Sequence, residues 1–384
     1  LRHHHITSSP HHPPAIRLRS VRDQSCASTS PHHSINMRID IIAGARPNFM
    51  KIAPIIRQLR AYNTDHPNHT FEYRLIHTGQ HYDRNMSESF FEQLGIPEPD
   101  INLGAGSGTQ ASQTAQIMIG YEQAIQAWKP DLCIVVGDVN STMACSIVAK
   151  KAGVKVAHVE AGIRSGDWSM PEEINRIVTD SITDYFFTTS EEANTNLLQA
   201  GHAQESIFYV GNTMIDSLLQ NLNRLQKPDF FDSQINGHPY IVLTLHRPSN
   251  VDDPDKLQFL LDMVHHHAPG IRILFPMHPR TRKIYEALGC SYEQFIITDP
   301  MPYLEFMYII RHATGVVTDS GGITEETTVL NIPCITLRTT TERPETVTLG
   351  SNELVKDPSQ LPEYLHRMIA GQWKQAQSIP LWDG

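Results

Sequence analysis

Short apolar runs alternate with amphipathic segments from Arg38 onward, and this pattern predicts repeated strand–helix units. Strands that alternate with helices in this way pair in mainly parallel sheets. In the first half, the predicted strands are residues 39–43, 73–77, 132–136, 155–159, 185–188 and 207–210. The predicted helices are residues 48–62, 86–94, 111–128 and 141–152, with another that opens at Pro171.

A second alternating set begins after Gly211. A connecting helix over 213–225 and a polar loop over 227–239 precede apolar runs at 240–244, 272–276, 295–298, 315–318 and 334–337. The pattern predicts an α/β fold of two doubly wound, Rossmann-type domains that face a central cleft. We place the N-terminal domain at residues 37–211 and the C-terminal domain at 212–360, and expect the amphipathic helix 361–373 to pack back on the first domain or against the second.

Residues 1–36 differ in composition from the rest of the chain. They hold seven of the 21 histidines and lack Gly, Phe, Tyr and Trp. A segment without core-forming residues cannot fold alone, so we interpret it as a disordered tail. Because Met37 opens a strand, we take Met37 as the natural start and expect the tail to be dispensable.

The charge balance indicates a small ligand. Asp and Glu number 41 against 31 Lys and Arg, a net charge of −10, which disfavours a nucleic-acid surface. No apolar run approaches the length of a bilayer span, so we expect no membrane partner. The five cysteines form no CxxC pair, which argues against a disulfide framework or a cysteine zinc site and fits a reducing cytoplasm.

Two acidic residues come at the ends of neighbouring predicted strands. Asp138 follows the run 132–136 and a glycine, and Glu160 follows the run 155–159. Because parallel strands present their carboxyl ends at the same edge, both carboxylates should emerge in the cleft. Two carboxylates beside one substrate can take different pKa values, so that one acts as a base and the other as an acid. A plain helix N-cap is the alternative for each.

The segment Met170-Pro171-Glu172-Glu173-Ile174-Asn175-Arg176 opens a helix with Pro at its start. Glu172 and Arg176 stand four residues apart on one helical face, where they can form an ion pair. The alternative to a functional role is an exposed pair that contributes little to stability.

A glycine-rich turn lies between a predicted strand and a helix. It reads Asp319-Ser320-Gly321-Gly322, with Glu325 and Glu326 one turn later. Adjacent glycines let an anion approach the N–H groups of a helix N-terminus, and either Glu could accept hydrogen bonds from a ribose. The stretch 104–108, also rich in Gly, follows no predicted strand and is interpreted as a plain loop. Neither matches a dinucleotide or Walker motif, so we expect no nicotinamide cofactor.

Cationic side chains at or just after strand ends occur in both halves, and together they would suit a diphosphate. They are Arg46, Lys51, His246, Arg247, His278, Arg280, Arg338 and Arg343. A solvated surface charge is the alternative for each of them. The run His265-His266-His267 has no second cluster at metal-ligand spacing, so we expect it to cap a helix end and expect no metal site.

An ordered series of motifs runs through both halves. The motifs are Gly44-Ala45-Arg46-Pro47 with Lys51, Thr78-Gly79-Gln80-His81, Val136-Gly137-Asp138, His158-Val159-Glu160-Ala161-Gly162-Ile163-Arg164, Pro171-Glu172-Glu173-Ile174-Asn175-Arg176, Val210-Gly211-Asn212-Thr213, Leu245-His246-Arg247, Asp319-Ser320-Gly321-Gly322 with Glu325-Glu326, and Thr341-Glu342-Arg343-Pro344-Glu345. From residue 37 to about residue 373 the chain resembles the non-hydrolysing UDP-N-acetylglucosamine (UDP-GlcNAc) 2-epimerases. That family has the architecture called GT-B, which agrees with the two predicted domains.

The resemblance implies reversible epimerisation at C2 of UDP-GlcNAc to UDP-ManNAc, without cofactor or metal, by a cytoplasmic homodimer. A base removes the C2 proton while UDP leaves C1, and UDP then adds back to 2-acetamidoglucal. The resemblance implies acid/base roles for Asp138, Glu160 and Glu172, and implies that Arg176 and His246 steady the reacting groups and the diphosphate. The implied UDP-sugar site, largely in the C-terminal domain, comprises Arg46, Lys51, His278, Phe306, Ser320, Gly321, Gly322, Glu325 and Arg343.

The chain departs from the family pattern in three places. Asn48 stands where many members have Glu, and Pro248-Ser249-Asn250 replaces an Arg and a Glu-Asn pair. Residues 82–87 differ from the segment that binds a second UDP-GlcNAc in regulated members, so we expect hyperbolic kinetics.

Four alternative functions stay open. They are a 2-epimerase of a UDP-diacetamido-uronate sugar, a GT-B UDP-sugar glycosyltransferase, a hydrolysing relative that releases free ManNAc, and a UDP-sugar sensor without turnover. The retained acidic motif residues argue against the sensor.

Overall fold

A seven-stranded parallel sheet forms the core of the first half in the computed structural model, which describes residues 37–79, 91, 95–235 and 237–384, with the main chain alone at residue 46. Its strands are β1 (Met37–Ala43), β2 (Phe71–His77), β3 (Ile101–Asn102), β4 (Leu132–Val136), β5 (Lys155–Val159), β6 (Tyr185–Thr188) and β7 (Ile207–Tyr209). Their spatial order is β3-β2-β1-β4-β5-β6-β7. The tail 1–36 and, apart from Phe91, the predicted helix 86–94 lie outside the described residues.

Helices cover both faces of this sheet. They are α1 (Arg46–Asp65), α2 (Gln110–Trp128), α3 (Asn140–Lys151), α4 (Pro171–Ile182) and α5 (Glu191–Gln199). Alternate residues of a strand point to opposite faces, so the apolar run of β4 serves two cores. Ile134 and Val136 pack in a cluster with residues of α1, whereas Cys133 and Val135 pack in a cluster with residues of α2 and α3.

The second half is built in the same way on a six-stranded parallel sheet within the described residues. Its strands are β8 (Tyr240–Thr244), β9 (Arg272–Pro276), β10 (Phe295–Thr298), β11 (Gly315–Thr318), β12 (Cys334–Leu337) and β13 (Asn352–Val355), in the order β10-β9-β8-β11-β12-β13. Its helices are α6 (Thr213–Asn221), α7 (Phe231–Ile235), α8 (Pro248–Val251), α9 (Pro254–His267), α10 (Pro279–Leu288), α11 (Tyr303–Arg311), α12 (Gly321–Val329), α13 (Pro344–Thr348) and α14 (Leu361–Ile369).

The strand order reverses beside β1 in the first sheet and beside β8 in the second. Both reversals are the switch points at which doubly wound sheets bind ligands beyond their carboxyl ends. The predicted α/β fold of two Rossmann-type sheets is confirmed. Short 3₁₀ turns at Gln204–Ser206, Leu222–Arg224 and Pro358–Gln360 complete the connections.

Two strands escaped the sequence prediction, and both lie at sheet edges. β3 has only two residues, and the two middle residues of β13 are only partly buried. An edge strand packs on one neighbour, so it needs no continuous apolar run. The predicted loop 227–239 also contains the short helix α7.

The last helix does not return to the first half. Leu361, Leu365 and Met368 of α14 form one apolar stripe that packs into the core of the second sheet, so of the two expected positions the helix takes the one against the second domain. The chain after α14 makes that contact instead, since the Trp382 indole donates to the carbonyl of Thr189 at 3.3 Å. Among the described residues, no helix combines the length and apolarity needed to cross a membrane.

Candidate active site

A cavity of about 1460 Å³ opens beyond the carboxyl ends of both sheets. Loops after β4 and β5 line it from the first half, and loops after β8, β11 and β12 line it from the second. Because each loop follows a buried strand, the sheets hold the lining side chains in fixed positions.

Glu160 lines the cavity between two cationic side chains, those of Lys51 and Arg343. Its main chain has φ +67°, a strained conformation for a residue with a side chain. Its Oε2 lies 2.6 Å from Lys51 Nζ and 3.3 Å from Arg343 Nη2, while its buried Oε1 has no hydrogen-bond partner among the described residues. Burial opposes the charge, but Lys51 and Arg343 outweigh it and hold the pKa of Glu160 below its usual value.

Asp138 faces the same cavity from the end of β4. Its Oδ2 lies 2.5 Å from Arg176 Nη2. Burial disfavours its charge, but Arg176 and Lys51 hold the pKa of Asp138 below the ordinary value. The N-cap of α3 is Val139, so Asp138 is not the helix cap that the sequence left as an alternative.

Arg176 is paired differently from the prediction. Its Nη1 lies 2.8 Å from Glu173 Oε2, three residues earlier, and its buried guanidinium turns toward Asp138. The expected ion pair with Glu172 is therefore wrong. Glu173 is buried, and its carboxylate also accepts hydrogen bonds from the main chain of Ser165 and Gly166. Glu172 is exposed and lines the cavity.

His246 follows β8 and lines the cavity, and its ring is held by a carboxylate on the side away from the cavity. Its Nδ1 lies 2.8 Å from Asp319 Oδ1, and Asp319 also accepts hydrogen bonds from the main chain of Arg247 and the side chain of Asn250. Burial opposes the charge of Asp319, but these contacts hold its pKa below the usual range. With Nδ1 on Asp319, Nε2 is the ring nitrogen that can contact a ligand.

The glycine-rich turn contributes the start of α12. Ser320, Gly321 and Gly322 line the cavity, together with Phe306 of α11. A Cβ placed on Gly322 would meet nothing within 4 Å, so open space lies beside this helix N-terminus. The main-chain N–H groups there suit an anion.

Glu325 lines the cavity but is almost fully buried. Its Oε1 accepts hydrogen bonds from Asn212 Nδ2 at 2.9 Å and from Arg343 Nε. Burial raises the pKa of Glu325 even beside that cation. Its neighbour Glu326 also lines the cavity.

The predicted cations divide into two groups. Those that line the cavity are Lys51, Arg176, His246, Arg247, Arg338 and Arg343. His278 does not line it, because its ring caps α10 and accepts a hydrogen bond from the Arg280 N–H at 3.3 Å. Arg280 pairs instead with the exposed Asp252 at 2.5 Å. The side chain of Arg46 lies outside the described part of the chain.

Sequence reasoning missed the organising role of Glu342. Arg338 contacts both of its carboxylate oxygens, at 2.6 and 2.8 Å, and Arg176 approaches it to 3.5 Å. Burial opposes the charge, but these arginines lower the pKa of Glu342 to about 2. The sequence did offer a signal for Glu342, because this residue stands next to Arg343 in a charged motif. Asp319 was signalled in the same way as Glu160, by its position directly after a strand.

Two asparagines support the loops of the site. Asn48 accepts hydrogen bonds from the N–H groups of Gly44 and Ala45, at 3.0 and 2.9 Å, and donates to the carbonyl of Val136 at 3.1 Å. Asn250 donates to Asp319 at 3.2 Å. Asn48, which departs from the family pattern, and Asn250 therefore both support neighbouring site loops.

Glu326→Gln should stabilise the protein more at pH 8 than at pH 5. Burial raises the pKa of Glu326 to about 8 from an ordinary 4.5, so the native state keeps a proton that the unfolded state releases above about pH 4.5. Wild-type stability therefore falls as the pH rises through this window. Gln removes that loss, so the substitution should raise the free energy of unfolding by roughly 1–3 kcal/mol more at about pH 8 than at about pH 5.

Urea unfolding at the two pH values measures this difference, with the exposed Glu363→Gln as control. An equal effect of Glu326→Gln at both values would show that Glu326 ionises normally.

Comparisons with known proteins agree with this geometry. A family model described as UDP-N-acetylglucosamine 2-epimerase matches residues 64–384. A UDP-N-acetylglucosamine 2-epimerase of Methanocaldococcus jannaschii is 43% identical over 333 residues, which are 84% of this chain and 89% of that protein. A UDP-2,3-diacetamido-2,3-dideoxy-D-glucuronate 2-epimerase of Pseudomonas aeruginosa is 40% identical over 322 residues, 83% of this chain and 88% of that protein.

Solved structures extend the likeness to both sheets. The crystal structure of the Methanocaldococcus jannaschii UDP-GlcNAc 2-epimerase in complex with UDP-GlcNAc and UDP matches with a TM-score of 0.80 and 40% identity, over 90% of this chain and 97% of that one. The Neisseria meningitidis UDP-GlcNAc 2-epimerase bound to UDP-GlcNAc matches with a TM-score of 0.78 and 28% identity, over 87% and 92% of the two chains. The chain therefore belongs to the UDP-N-acetylglucosamine 2-epimerase family.

Proposed function

We propose that the protein interconverts UDP-GlcNAc and UDP-ManNAc by eliminating UDP and adding it back, without net hydrolysis. The observation that carries the proposal is the convergence of Asp138, Glu160 and Glu172 in one cavity that cationic side chains of the second half also line. The names of the relatives support the substrate, since two of the matched crystal structures contain UDP-GlcNAc.

The second half is proposed to hold the UDP group. The N–H groups at the start of α12, with Ser320, face the cavity and can bind a phosphate. Phe306 and Glu326 lie along the same cavity, where an aromatic ring and a carboxyl group suit uracil and ribose. This assignment leaves the sugar beside the carboxylates that follow β4 and β5.

Elimination breaks two bonds of the sugar. A carboxylate takes the C2 proton, the C–H electron pair forms the C1–C2 double bond, and the C1–O pair leaves with UDP. Asp138 and Glu160 suit the base role because nearby cations hold both in the ionised form at neutral pH. Re-addition of UDP to C1 and protonation of C2 on the opposite face complete the inversion.

The departing diphosphate needs positive charge close to it. Several cations line this cavity, and His246 can contact the diphosphate through Nε2 because Asp319 orients the ring through Nδ1. The buried guanidinium of Arg176 contacts three carboxylates, those of Asp138, Glu173 and Glu342. We therefore assign Arg176 to orienting Asp138 rather than to the phosphate.

The substrate could carry further groups, since the Pseudomonas aeruginosa relative is named for a diacetamido-glucuronate sugar. Assays of UDP-GlcNAc and of UDP-2,3-diacetamido-glucuronate side by side decide between them. We expect the higher kcat/KM with UDP-GlcNAc, and the reverse order would move the proposal to the uronate.

Incubation with UDP-GlcNAc alone tests the reaction. We expect UDP-ManNAc to accumulate to a fixed ratio with UDP-GlcNAc, with no acceptor added. Free ManNAc with UDP would indicate a hydrolysing enzyme, no change without an acceptor would favour a glycosyltransferase, and binding without turnover would favour a sensor.

A further inference from the structure

A buried histidine stands behind the proposed acid/base residues. His158 lies in β5, is fully buried and is not among the residues that line the cavity. Its Nδ1 lies 2.7 Å from Asp180 Oδ1, and its Nε2 lies 2.8 Å from the carbonyl oxygen of Gly137. The ring therefore links α4 to the turn that follows β4.

Both partners of this ring are hydrogen-bond acceptors. The Gly137 carbonyl can only accept, so Nε2 carries a hydrogen. The second oxygen of Asp180 accepts from the Gly162 N–H at 3.1 Å and lies 2.7 Å from Arg164 Nη1, so the group is a carboxylate. Burial opposes that charge, but His158 and Arg164 hold the pKa of Asp180 below its usual value. A carboxylate also only accepts, so Nδ1 carries a hydrogen as well.

The turn that His158 contacts leads directly into Asp138. Gly137 adopts φ +69°, and its N–H donates to the Val159 carbonyl at 3.0 Å while its own carbonyl accepts from His158. On the other side, the Asp138 carbonyl accepts from Asn175 Nδ2 at 2.9 Å. The peptide groups that flank the Asp138 α-carbon are thus both held, which fixes the place from which its carboxylate enters the cavity.

We propose that His158 is a positioning residue, an imidazolium held by Asp180 that fixes the Gly137–Asp138 peptide and thereby the reacting geometry of Asp138. The inference rests on the proposed function. Because His158 does not line the cavity, its loss acts on turnover through Asp138. The KM for the UDP-sugar should change little, since the groups proposed to hold UDP lie in the second half.

A double-mutant cycle tests the coupling. We expect His158→Gln to lower kcat by about 10–100-fold in the wild-type background and to lower it no further in an Asp138→Asn background. The exposed His238→Gln is the matched control and should leave kcat unchanged. Independent, multiplicative losses would overturn the proposal, as would a lower melting temperature with unchanged kcat.

The protonation state is tested in the wild-type protein by NMR of histidines labelled with ¹⁵N in the ring. We expect one ring with two slowly exchanging N–H signals, because His158 is fully buried and each of its ring nitrogens faces an acceptor, Asp180 or the Gly137 carbonyl. The signals should vanish in His158→Gln or, if that variant does not fold, change in Asp180→Asn. Absence of such a ring overturns the inference. If the wild-type protein does not epimerise UDP-GlcNAc, the proposed function is wrong. The NMR measurement still tests the inference about His158 in that case.

Discussion

Asp138→Asn, Glu160→Gln and Glu172→Gln should each lower turnover by about 10²-fold or more, because each removes a carboxylate proposed to move a proton. The substitutions keep the shape of the side chain, so the fold should survive. Steady-state kinetics with UDP-GlcNAc measure the loss, and melting temperatures report whether the protein stays folded.

Asp253→Asn separates proton transfer from helix capping. Asp253 is a true N-cap, whose side chain accepts hydrogen bonds from the N–H groups of Asp255 and Lys256. Exchange of Asp for Asn at such a cap is nearly neutral, so this variant should keep full turnover. Full activity in all three cavity variants would reject the site assignment even though the family is established.

Arg343→Met should destabilise the protein by about 3–5 kcal/mol, the range for removal of one partner of a buried ion pair. The Arg343 guanidinium lies between the carboxylates of Glu160 and Glu325, and all three residues are buried. Without it, two buried carboxylates remain, with Lys51 contacting Glu160. Urea unfolding of the variant and the wild type measures the difference.

The deficit of Arg343→Met should shrink as the pH falls. Loss of the cation raises the native-state pKa values of Glu160 and Glu325, and a carboxyl group whose folded pKa is raised favours the fold at low pH and loses that contribution as the pH rises. Arg280→Met is the matched control, because its pair with Asp252 is about half exposed and should contribute about 0–1 kcal/mol. Equal, small effects of both substitutions would contradict the network.

The sequence predicted those features of the fold that depend on the local pattern of apolar and polar residues. The mainly apolar runs at 132–136 and 155–159 became β4 and β5 with the expected bounds, because a strand buried on both faces is rich in apolar residues. From those strands followed the positions of Asp138 and Glu160 at the cavity. The edge strand β13 was missed because its residues are not uniformly apolar.

The ion-pair partners of the charged site residues could not be predicted from the sequence. Helical spacing allowed Arg176 to pair with Glu172, but the packing of α4 turns it toward Glu173 and Asp138. Glu325 likewise occupies a motif position that suggested ribose, yet Arg343, 18 residues later, contacts it in the interior. Tertiary packing decides such pairs, and single-sequence spacing carries no information about it.

The central claim is that carboxylates of the first half remove the C2 proton of the UDP-sugar. Proton NMR of UDP-GlcNAc incubated with the protein in deuterated water tests it most directly. The account predicts deuterium at C2 of the UDP-ManNAc formed, because solvent-exchanged groups deliver the returning proton to the opposite face. UDP-ManNAc that retains the original C2 hydrogen would contradict proton abstraction by these residues.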